Sequence, residues 1–474
     1  MRGLELARAF PGRPVIRQNS IFPQAYGRSA MTQLQQTEAS CLLLGGALYR
    51  SRVGLVSASG PADLLFAGFK KGAFSLYFGD APIYHFDLEG RWQRAYVDVT
   101  HFLKSLDTSV HAIDRVREGA NLVLRRRALR DDEIRDLDLQ VRGIALGLIA
   151  ELDGGRLRRQ EPPMGKARAL DNAALRDFLV RIARWDAAAW DAHHRQYQAT
   201  YGPLPFLPPD CQNAVVLQAT HGSARGLSFG NGPASDHVIR SPAEFQQHVL
   251  DVARLVGRRL LQTRIAFLAS GDVLRRPVDD VMTYLEILGR ALTIAPAAKG
   301  QSEPALEDPQ HIEGIYAFLD DFSAPCPGPS ALQAFRQRHL EHVTLGVESG
   351  DARVRGLYHK SWYDDDLRAV VADAKSAGIG LSLLTLVGAG GQEHGKSHVE
   401  KSAQLFASLG LTRGDTLFLL DEREFADPGR EGGDGNALTG EAWTRQRESF
   451  QQALSPLRER GVKVLPYSLE KQWA

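Results

Sequence analysis

The sequence has few cysteines and no long apolar run. Its three cysteines, Cys41, Cys211 and Cys326, lie far apart in a chain of 474 residues. This spacing gives neither a disulfide framework nor a Cys-x-x-Cys metal pair, and it is typical of a reducing compartment. No stretch reaches the roughly 18 consecutive apolar residues that a membrane-spanning helix needs. We therefore expect a cytoplasmic protein with no membrane partner.

The chain also lacks an excess of charge of either sign. It has 57 lysines and arginines against 56 aspartates and glutamates, for a formal net charge of +1. Without an overall positive field, nothing favours binding to nucleic acid. The hydrophobic fraction of 43% is that of an ordinary globular protein with a buried core. Any function must therefore be sought in local motifs.

Four regions follow from the pattern of the chain. Residues 1–40 are basic and poorly patterned, so we expect a disordered tail or an over-long start, with Met31 as an alternative first residue. Alternating apolar and polar residues predict a small β-rich domain over 41–130. Residues 131–205 are predicted to form a helical connector. Its helices are expected at 131–152 and at 171–197.

Residues 206–474 alternate between strand and helix patterns. The strands are predicted near 213–219, 264–268, 314–319, 342–347, 379–387, 415–420 and 462–466. Ser241 and Glu244 form a capping box at the start of one intervening helix. A regular strand–helix alternation implies an α/β fold with a parallel sheet, and this number of units predicts a full or partial (β/α) barrel. Function is then expected at the carboxyl ends of the strands.

Four strand ends carry short motifs in a recognisable order. They are VVLQAT at 215–220, FLASGD at 267–272, GVESGD at 346–351 and LTLVGAGG at 384–391. In this order they resemble the radical S-adenosylmethionine (SAM) superfamily, most closely a bacterial branch in which a VLQAT strand leads into a cysteine loop. The resemblance runs from about residue 206 to 420, nearly half of the chain. It implies a radical-SAM-like partial (β/α) barrel.

The resemblance also implies a set of cofactor-binding residues at these strand ends. The second motif would hold the methionine amino group of SAM, the third would contact the ribose, and the fourth is a glycine motif. The implied cofactor-binding residues are Ser270, Gly271, Asp272, Glu348, Ser349, Gly388 and Gly390.

The chain departs from the family at the cluster loop. The three ligand positions of the family fall on Ser223, Leu227 and Gly230, and none of them is cysteine. Iron–sulfur clusters are held by thiolates. We therefore expect no four-iron four-sulfur cluster at this site and no reductive cleavage of SAM, while SAM itself remains a candidate ligand.

No residue is assigned as catalytic. The acid–base candidates on the same barrel face are His221, Asp272, Glu348, Asp351, Glu393 and His394. For Glu348 a structural or ribose-contacting carboxylate is the favoured interpretation, and for His221 a solvated histidine. His394 and His398 have a metal-capable spacing of four, but without a third ligand we predict no metal site.

Three functions stay open at this point. The first is a cluster-less homologue or pseudoenzyme that binds SAM or another nucleotide-like small molecule. The second is an enzyme that uses the barrel for non-radical chemistry on SAM. The third is a structural or interaction protein, such as a partner of an intact radical SAM enzyme. The sequence leaves open whether the chain is an enzyme at all.

Overall fold

The computed structural model describes most of the chain after residue 44, so the predicted tail of residues 1–40 lies outside it. The described residues are 45–57, 60–70, 73–118, 121–159, 170–204, 207–222, 237–269, 273–292, 294, 312–323, 325–425 and 438–467. They belong to two compact units. The N-terminal unit comprises 1–194, 257–262 and 298–310, and the C-terminal unit comprises 195–256, 263–297 and 311–474.

The N-terminal unit contains a nine-stranded antiparallel sheet, as the alternating pattern predicts. Its strands are β1 Gly45–Ser57, β2 Gly60–Lys70, β3 Ala73–Phe78, β4 Ile83–Phe86, β5 Trp92–Val97, β6 Thr100–Lys104, β7 Val110–Glu118, β8 Asn121–Ala128 and β9 Leu157–Arg159. The strand order is β8-β7-β6-β5-β4-β3-β2-β1-β9, so neighbours in sequence are mostly neighbours in space. In β3 the alternating Phe74, Leu76 and Phe78 are all buried.

Three helices follow the strands of this region. They are α1 Asp131–Asp153, α2 Asn172–Ala183 and α3 Ala187–Thr200. The sequence pattern predicted one helix over 171–197, whereas the structure has two. The reason lies at Asp186, whose carboxylate accepts a hydrogen bond from the backbone N–H of Ala189 at 3.0 Å. A side chain of this type caps a new helix rather than continuing the previous one.

The helices of this unit share one hydrophobic core with its sheet. Phe178 of α2 is 1% exposed, and its ring centroid lies 4.3 Å from that of Phe74 and 5.1 Å from that of Phe69. Val141 and Leu148 of α1 belong to the same core. Aromatic pairs at these separations add to the area that they bury. Helices α1 and α2 therefore pack against the sheet of the β-rich region.

The C-terminal unit is built on a seven-stranded parallel sheet in sequential order, which confirms the predicted fold class. Its strands are β10 Val215–Gln218, β13 Ile265–Ala269, β14 Gly314–Leu319, β15 Leu340–Glu348, β16 Gly380–Val387, β17 Thr416–Asp421 and β18 Lys463–Tyr467. Each strand pairs with the next one along the chain. A separate hairpin pairs β11 Thr220–His221 with β12 Val238–Ile239. This is the arrangement of a partial (β/α) barrel.

Helices connect the parallel strands. They are α4 Pro242–Val256, α5 Val278–Ala291, α6 Pro329–Arg336, α7 Ala352–Leu357, α8 Asp364–Ser376, α9 Gly391–Ser408, α10 Glu422–Phe425, α11 Gly440–Ala453 and α12 Ser455–Glu459. The predicted capping box is present, with the Ser241 N–H donating to Glu244 at 2.7 Å and the Glu244 N–H donating to Ser241 at 3.3 Å. Among the described residues, no helix combines the length and the apolarity that crossing a membrane requires.

A buried polar network lies at the amino-terminal end of the parallel sheet. The Asp210 carboxylate lies 3.0 Å from Nε2 of His342, and it accepts a hydrogen bond from the Thr344 hydroxyl at 3.1 Å. His342 also contacts the Ser382 hydroxyl at 2.9 Å. Burial alone would raise the pKa of Asp210, but the bonds from His342, Ser382 and Thr344 hold it below its ordinary value. Asp210 is therefore an anion that ties β15 and β16 to the chain preceding β10.

Replacing Asp210 by Asn should destabilise the fold by about 1–3 kcal/mol, because buried partners would lose a charged acceptor. Because the pKa of Asp210 is lower in the folded state, its ionised carboxylate stabilises the fold when the pH is above the ordinary aspartate pKa. This contribution is lost as the pH falls through the lower pKa of the folded state. Urea unfolding of the wild type and Asp210→Asn at pH 7 and in acid would measure both effects. The deficit of the variant should be largest at pH 7. An equal stability at pH 7 would contradict the network's role.

Candidate functional site

Buried charged side chains lie at the carboxyl ends of three of the four consecutive parallel strands β14 to β17. Asp320 and Asp321 follow β14, Glu348 ends β15 and Glu422 follows β17. Their relative exposures are 3%, 5%, 1% and 5%. Burying charge is costly unless the group is paired or binds something. This edge of the sheet is therefore the candidate site, as the barrel topology leads one to expect.

Glu348 lies at the centre of this edge in an uncommon backbone conformation. Its φ of 55° falls in the left-handed region, and its carbonyl accepts a hydrogen bond from the Thr385 hydroxyl at 2.8 Å. The Lys360 ammonium lies 3.0 Å from Glu348 Oε1, which makes an ion pair without hydrogen-bond alignment. Among the described residues, Glu348 Oε2 has no hydrogen-bond partner. A left-handed non-glycine residue with an unsatisfied buried carboxylate is a feature typical of functional sites.

One ammonium group serves two buried carboxylates here. Lys360 Nζ donates to the Asp320 carbonyl at 2.5 Å and lies 3.4 Å from Asp320 Oδ2, in addition to its contact with Glu348. Burial raises the pKa of Glu348 to about 7, against the opposing effect of Lys360. Burial would lower the pKa of Lys360, but the two carboxylates raise it above its ordinary value. Lys360 is therefore charged at neutrality, and Glu348 titrates near pH 7.

Ser349 and Asp351 of the same motif are engaged by α9. The Ser349 hydroxyl contacts Nδ1 of His398 at 2.7 Å, and the Asp351 carboxylate accepts from Ser397 at 2.6 Å and pairs with Lys401 at 2.9 Å. Burial alone would raise the pKa of Asp351, but these partners lower it to about 2. Both side chains thus fix the turn after β15 onto α9.

His398, the second histidine of the pair at 394 and 398, uses both ring nitrogens within the fold. His398 is fully buried, and its Nε2 donates to the Leu386 carbonyl at 2.8 Å, because a carbonyl can only accept. Its Nδ1 accepts from Ser349, so both ring nitrogens are engaged. Burial lowers the pKa of His398 to about 4, which keeps the ring neutral. Glu393 beside His394 has a side chain that is 85% exposed.

The two predicted glycines have conformations that a side chain would disturb. Gly388 has a φ of 104°, its N–H donates to the Gln446 side chain at 2.5 Å, and its carbonyl accepts from the Leu438 N–H at 3.1 Å. Gly390 has a φ of 78°, and a Cβ there would lie 3.0 Å from Val354. Within the described residues, both backbone hydrogen-bonding groups of Gly388 therefore have partners, and the partner of its N–H, Gln446, belongs to α11. A role of either glycine in ligand binding stays a prediction.

Several predicted residues fall outside the part of the chain that the structure describes. They are the implied methionine-binding segment Ser270, Gly271 and Asp272, and the three cluster-loop positions Ser223, Leu227 and Gly230. His221 is described. It is half-buried rather than solvated, since its ring packs so closely on Gly202 that a Cβ there would lie 2.5 Å from Nδ1. Burial lowers the pKa of His221.

Lys360 and Asp320 were missed by sequence reasoning. Asp320 directly follows the buried strand β14, so the rule that function lies at strand ends could have found it. Lys360 follows α7 and has no local signal. Its pairing depends on β14 and β15 lying side by side, which is a tertiary property.

No protein-family model matches the chain, and no curated protein matches it. Solved structures do match. The coproporphyrinogen III oxidase HemN from Escherichia coli, a radical SAM enzyme, shares 13% identity with a TM-score of 0.34, over 46% of this chain and 44% of that one. The radical SAM methyltransferase TsrM from Kitasatospora setae shares 11% identity with a TM-score of 0.32, over 46% and 40%. Methylornithine synthase PylB shares 11% identity with a TM-score of 0.33, over 58% and 77%.

HemN and TsrM are radical SAM enzymes, and the motifs of this chain resemble the same superfamily. The chain spans less than half the length of HemN and of TsrM. At TM-scores of 0.32 to 0.34 the likeness carries no argument about this chain. The sequential parallel sheet, rather than the superposition, is what defines the fold of the C-terminal unit.

One prediction from the sequence requires correction. We expected no four-iron four-sulfur cluster, but the comparison contradicts this expectation, since the TsrM structure was solved with a [4Fe-4S] cluster bound. The expectation relied on residue spacing in a single loop, which lies outside the described residues. The spacing of one loop does not decide what the surrounding strand ends bind, and the expectation is withdrawn. Elsewhere, the described residues contain no group of three or more metal-ligating side chains.

Proposed function

We propose that the parallel sheet of the C-terminal unit binds SAM at its carboxyl edge, with Glu348 as the polar anchor. The observation that carries this proposal is the Glu348 carboxylate, which is 1% exposed and has an oxygen with no hydrogen-bond partner among the described residues. A ligand that donates a hydrogen bond to this oxygen would remove the cost of leaving it unsatisfied. Lys360 pairs with this carboxyl group and is itself paired with Asp320.

The identity of the ligand is supported by the motifs around this carboxylate. Glu348 belongs to GVESGD, which follows FLASGD and precedes LTLVGAGG in the order of the radical SAM pattern. SAM offers hydroxyl and ammonium donors that a buried carboxylate can accept, and hydrogen bonds to a charged acceptor are the strong ones. TsrM has been solved with a SAM analogue bound, a property of that enzyme which we propose for this chain.

The affinity for SAM should rise with pH near neutrality. Burial raises the pKa of Glu348 to about 7, so the acceptor form of the carboxyl group is the minor species at pH 6 and the major one at pH 8. We expect a roughly tenfold increase in affinity between these values, because the charged fraction of a carboxyl group with a pKa of about 7 rises about tenfold from pH 6 to pH 8. Calorimetric titration with SAM across this range would measure the increase.

The control for this experiment is Glu348→Gln, which keeps the shape of the side chain and does not titrate. Its residual affinity should lack the roughly tenfold rise between pH 6 and 8. A wild-type affinity with the same pH dependence as this variant would show that Glu348 does not receive the ligand. If the chain bound no SAM at any pH, the interaction role that the sequence left open would become the better account.

A further inference from the structure

A cavity lies within the N-terminal unit. Its volume is about 480 Å³, and it is bounded by the end of β6, by α1 and by the first half of α3. This volume is in the range of small-molecule sites. None of its lining residues belongs to the motifs at the carboxyl edge of the parallel sheet, so an occupant here would be separate from the proposed SAM site.

Two tryptophan rings line the cavity, and Lys104 and the Trp185 indole N–H beside them already have partners. The ring centroids of Trp185 and Trp190 lie 4.6 Å apart, and Lys104 Nζ lies 3.7 Å from the centroid of Trp190. The Asp138 carboxylate accepts from Lys104 at 2.6 Å, which neutralises the lysine. The Trp185 indole N–H donates to the Glu89 carbonyl at 2.8 Å. The cavity therefore offers a ligand indole surface and no unmet hydrogen-bonding need there.

Besides the paired Lys104 and Asp138, the lining has charged side chains from two helices, and the acidic ones include Asp131 at the start of α1. Arg135 and Arg142 of α1 line the cavity, are two turns apart on one helix face and form no ion pair within the described part of the chain. Arg142 uses only Nε internally, donating to the Ala183 carbonyl at 3.0 Å, which leaves the two terminal nitrogens of its guanidinium. Asp186 and Asp191, at and after the start of α3, supply the opposite charge.

We propose that this cavity binds a small zwitterion with an aromatic body, of the chemical class of the aromatic amino acids. The indole rings match an apolar planar group. Arg142 can bind a carboxylate through two parallel N–H donors, and Asp186 and Asp191 can accept from an ammonium group. A ligand with only one charge would leave either the arginines or the aspartates of the lining without a ligand partner.

Calorimetric titration of the full chain with L-tryptophan tests this proposal. The matched probes are indole, tryptamine and indole-3-propionate, which carry no charge, only the positive charge and only the negative charge. L-Tryptophan should bind saturably and at least tenfold more tightly than each of the three, since each missing charged hydrogen bond costs about 1.5–3 kcal/mol.

Variants separate this site from unspecific binding. Arg142→Gln and Asp191→Asn should each weaken the binding of L-tryptophan by about tenfold. The matched controls are Arg176→Gln and Asp177→Asn, at two exposed positions on α2. Each should leave the binding of L-tryptophan unchanged. Glu348→Gln should leave it unchanged as well, so a failure of the SAM proposal does not affect this one. Absence of saturable binding, or equal binding of indole and L-tryptophan, would overturn the proposal.

Discussion

Glu348→Gln is expected to weaken the binding of SAM by about 10- to 100-fold at pH 8, where the wild-type carboxylate is charged. The amide keeps the volume of the side chain, but it replaces one acceptor oxygen by a donor group and removes the charge. The fold should tolerate the change, because the buried carboxyl group of Glu348 already carries a cost of burial that raises its pKa to about 7. Calorimetry at a fixed pH would measure the loss.

The matched control is Glu393→Gln. Glu393 belongs to the next motif along the chain, but its side chain is 85% exposed. The substitution should leave the affinity for SAM unchanged. Circular dichroism of both variants would verify that each is folded. An equal affinity of Glu348→Gln and the wild type would refute the assignment of Glu348 as the anchor.

Lys360→Met is expected to destabilise the C-terminal unit by about 3–5 kcal/mol at pH 8, because it leaves two buried carboxylates without their shared cation. Lys360 is 5% exposed and pairs with both Glu348 and Asp320. Methionine keeps the length and the apolar stem of the side chain. The free energy of unfolding, from urea denaturation followed by fluorescence, would report the loss.

The destabilisation by Lys360→Met should depend on pH, and the raised pKa of Glu348 sets the direction of this dependence. Because the pKa of Glu348 is raised in the folded state, its protonated form favours folding when the pH is below the ordinary glutamate pKa. This contribution is lost as the pH rises through the folded-state pKa of about 7. In Lys360→Met the deficit should therefore be smaller at pH 6, where Glu348 is mostly protonated. Lys396→Met, at an 89% exposed side chain, is the control and should be neutral. Equal stability of the two variants would mean that Lys360 does not compensate the buried charge.

The sequence predicted the barrel well because its signals are local. Short apolar runs such as GIYAFL at 314–319 become buried parallel strands, and Ser241 and Glu244 cap α4 as predicted. A parallel strand buried on both faces reads as a continuous apolar run, which is easy to recognise. The break between α2 and α3 was missed because one side-chain cap outweighed a helical pattern that continues across it.

The candidate site was predicted only in part, because its chemistry depends on contacts between strands. The motifs located Glu348, but its ion pair with Lys360 joins residues on either side of α7. The second carboxylate paired with Lys360 is that of Asp320, which follows β14. Ser349 carried the same motif signal and instead bonds to His398 in the structure. The prediction that no four-iron four-sulfur cluster binds was wrong because it relied on the residue spacing of a single loop. The cytoplasmic location and an intact radical SAM enzyme as partner stay predictions.

The central claim is that the carboxyl edge of the parallel sheet is a SAM site. Its most direct test is a calorimetric titration of the purified full chain with SAM at pH 8, with the iron content of the same sample recorded. The account predicts saturable binding at one site per chain, whatever the iron content. A titration without saturation, in a sample that circular dichroism shows to be folded, would contradict it.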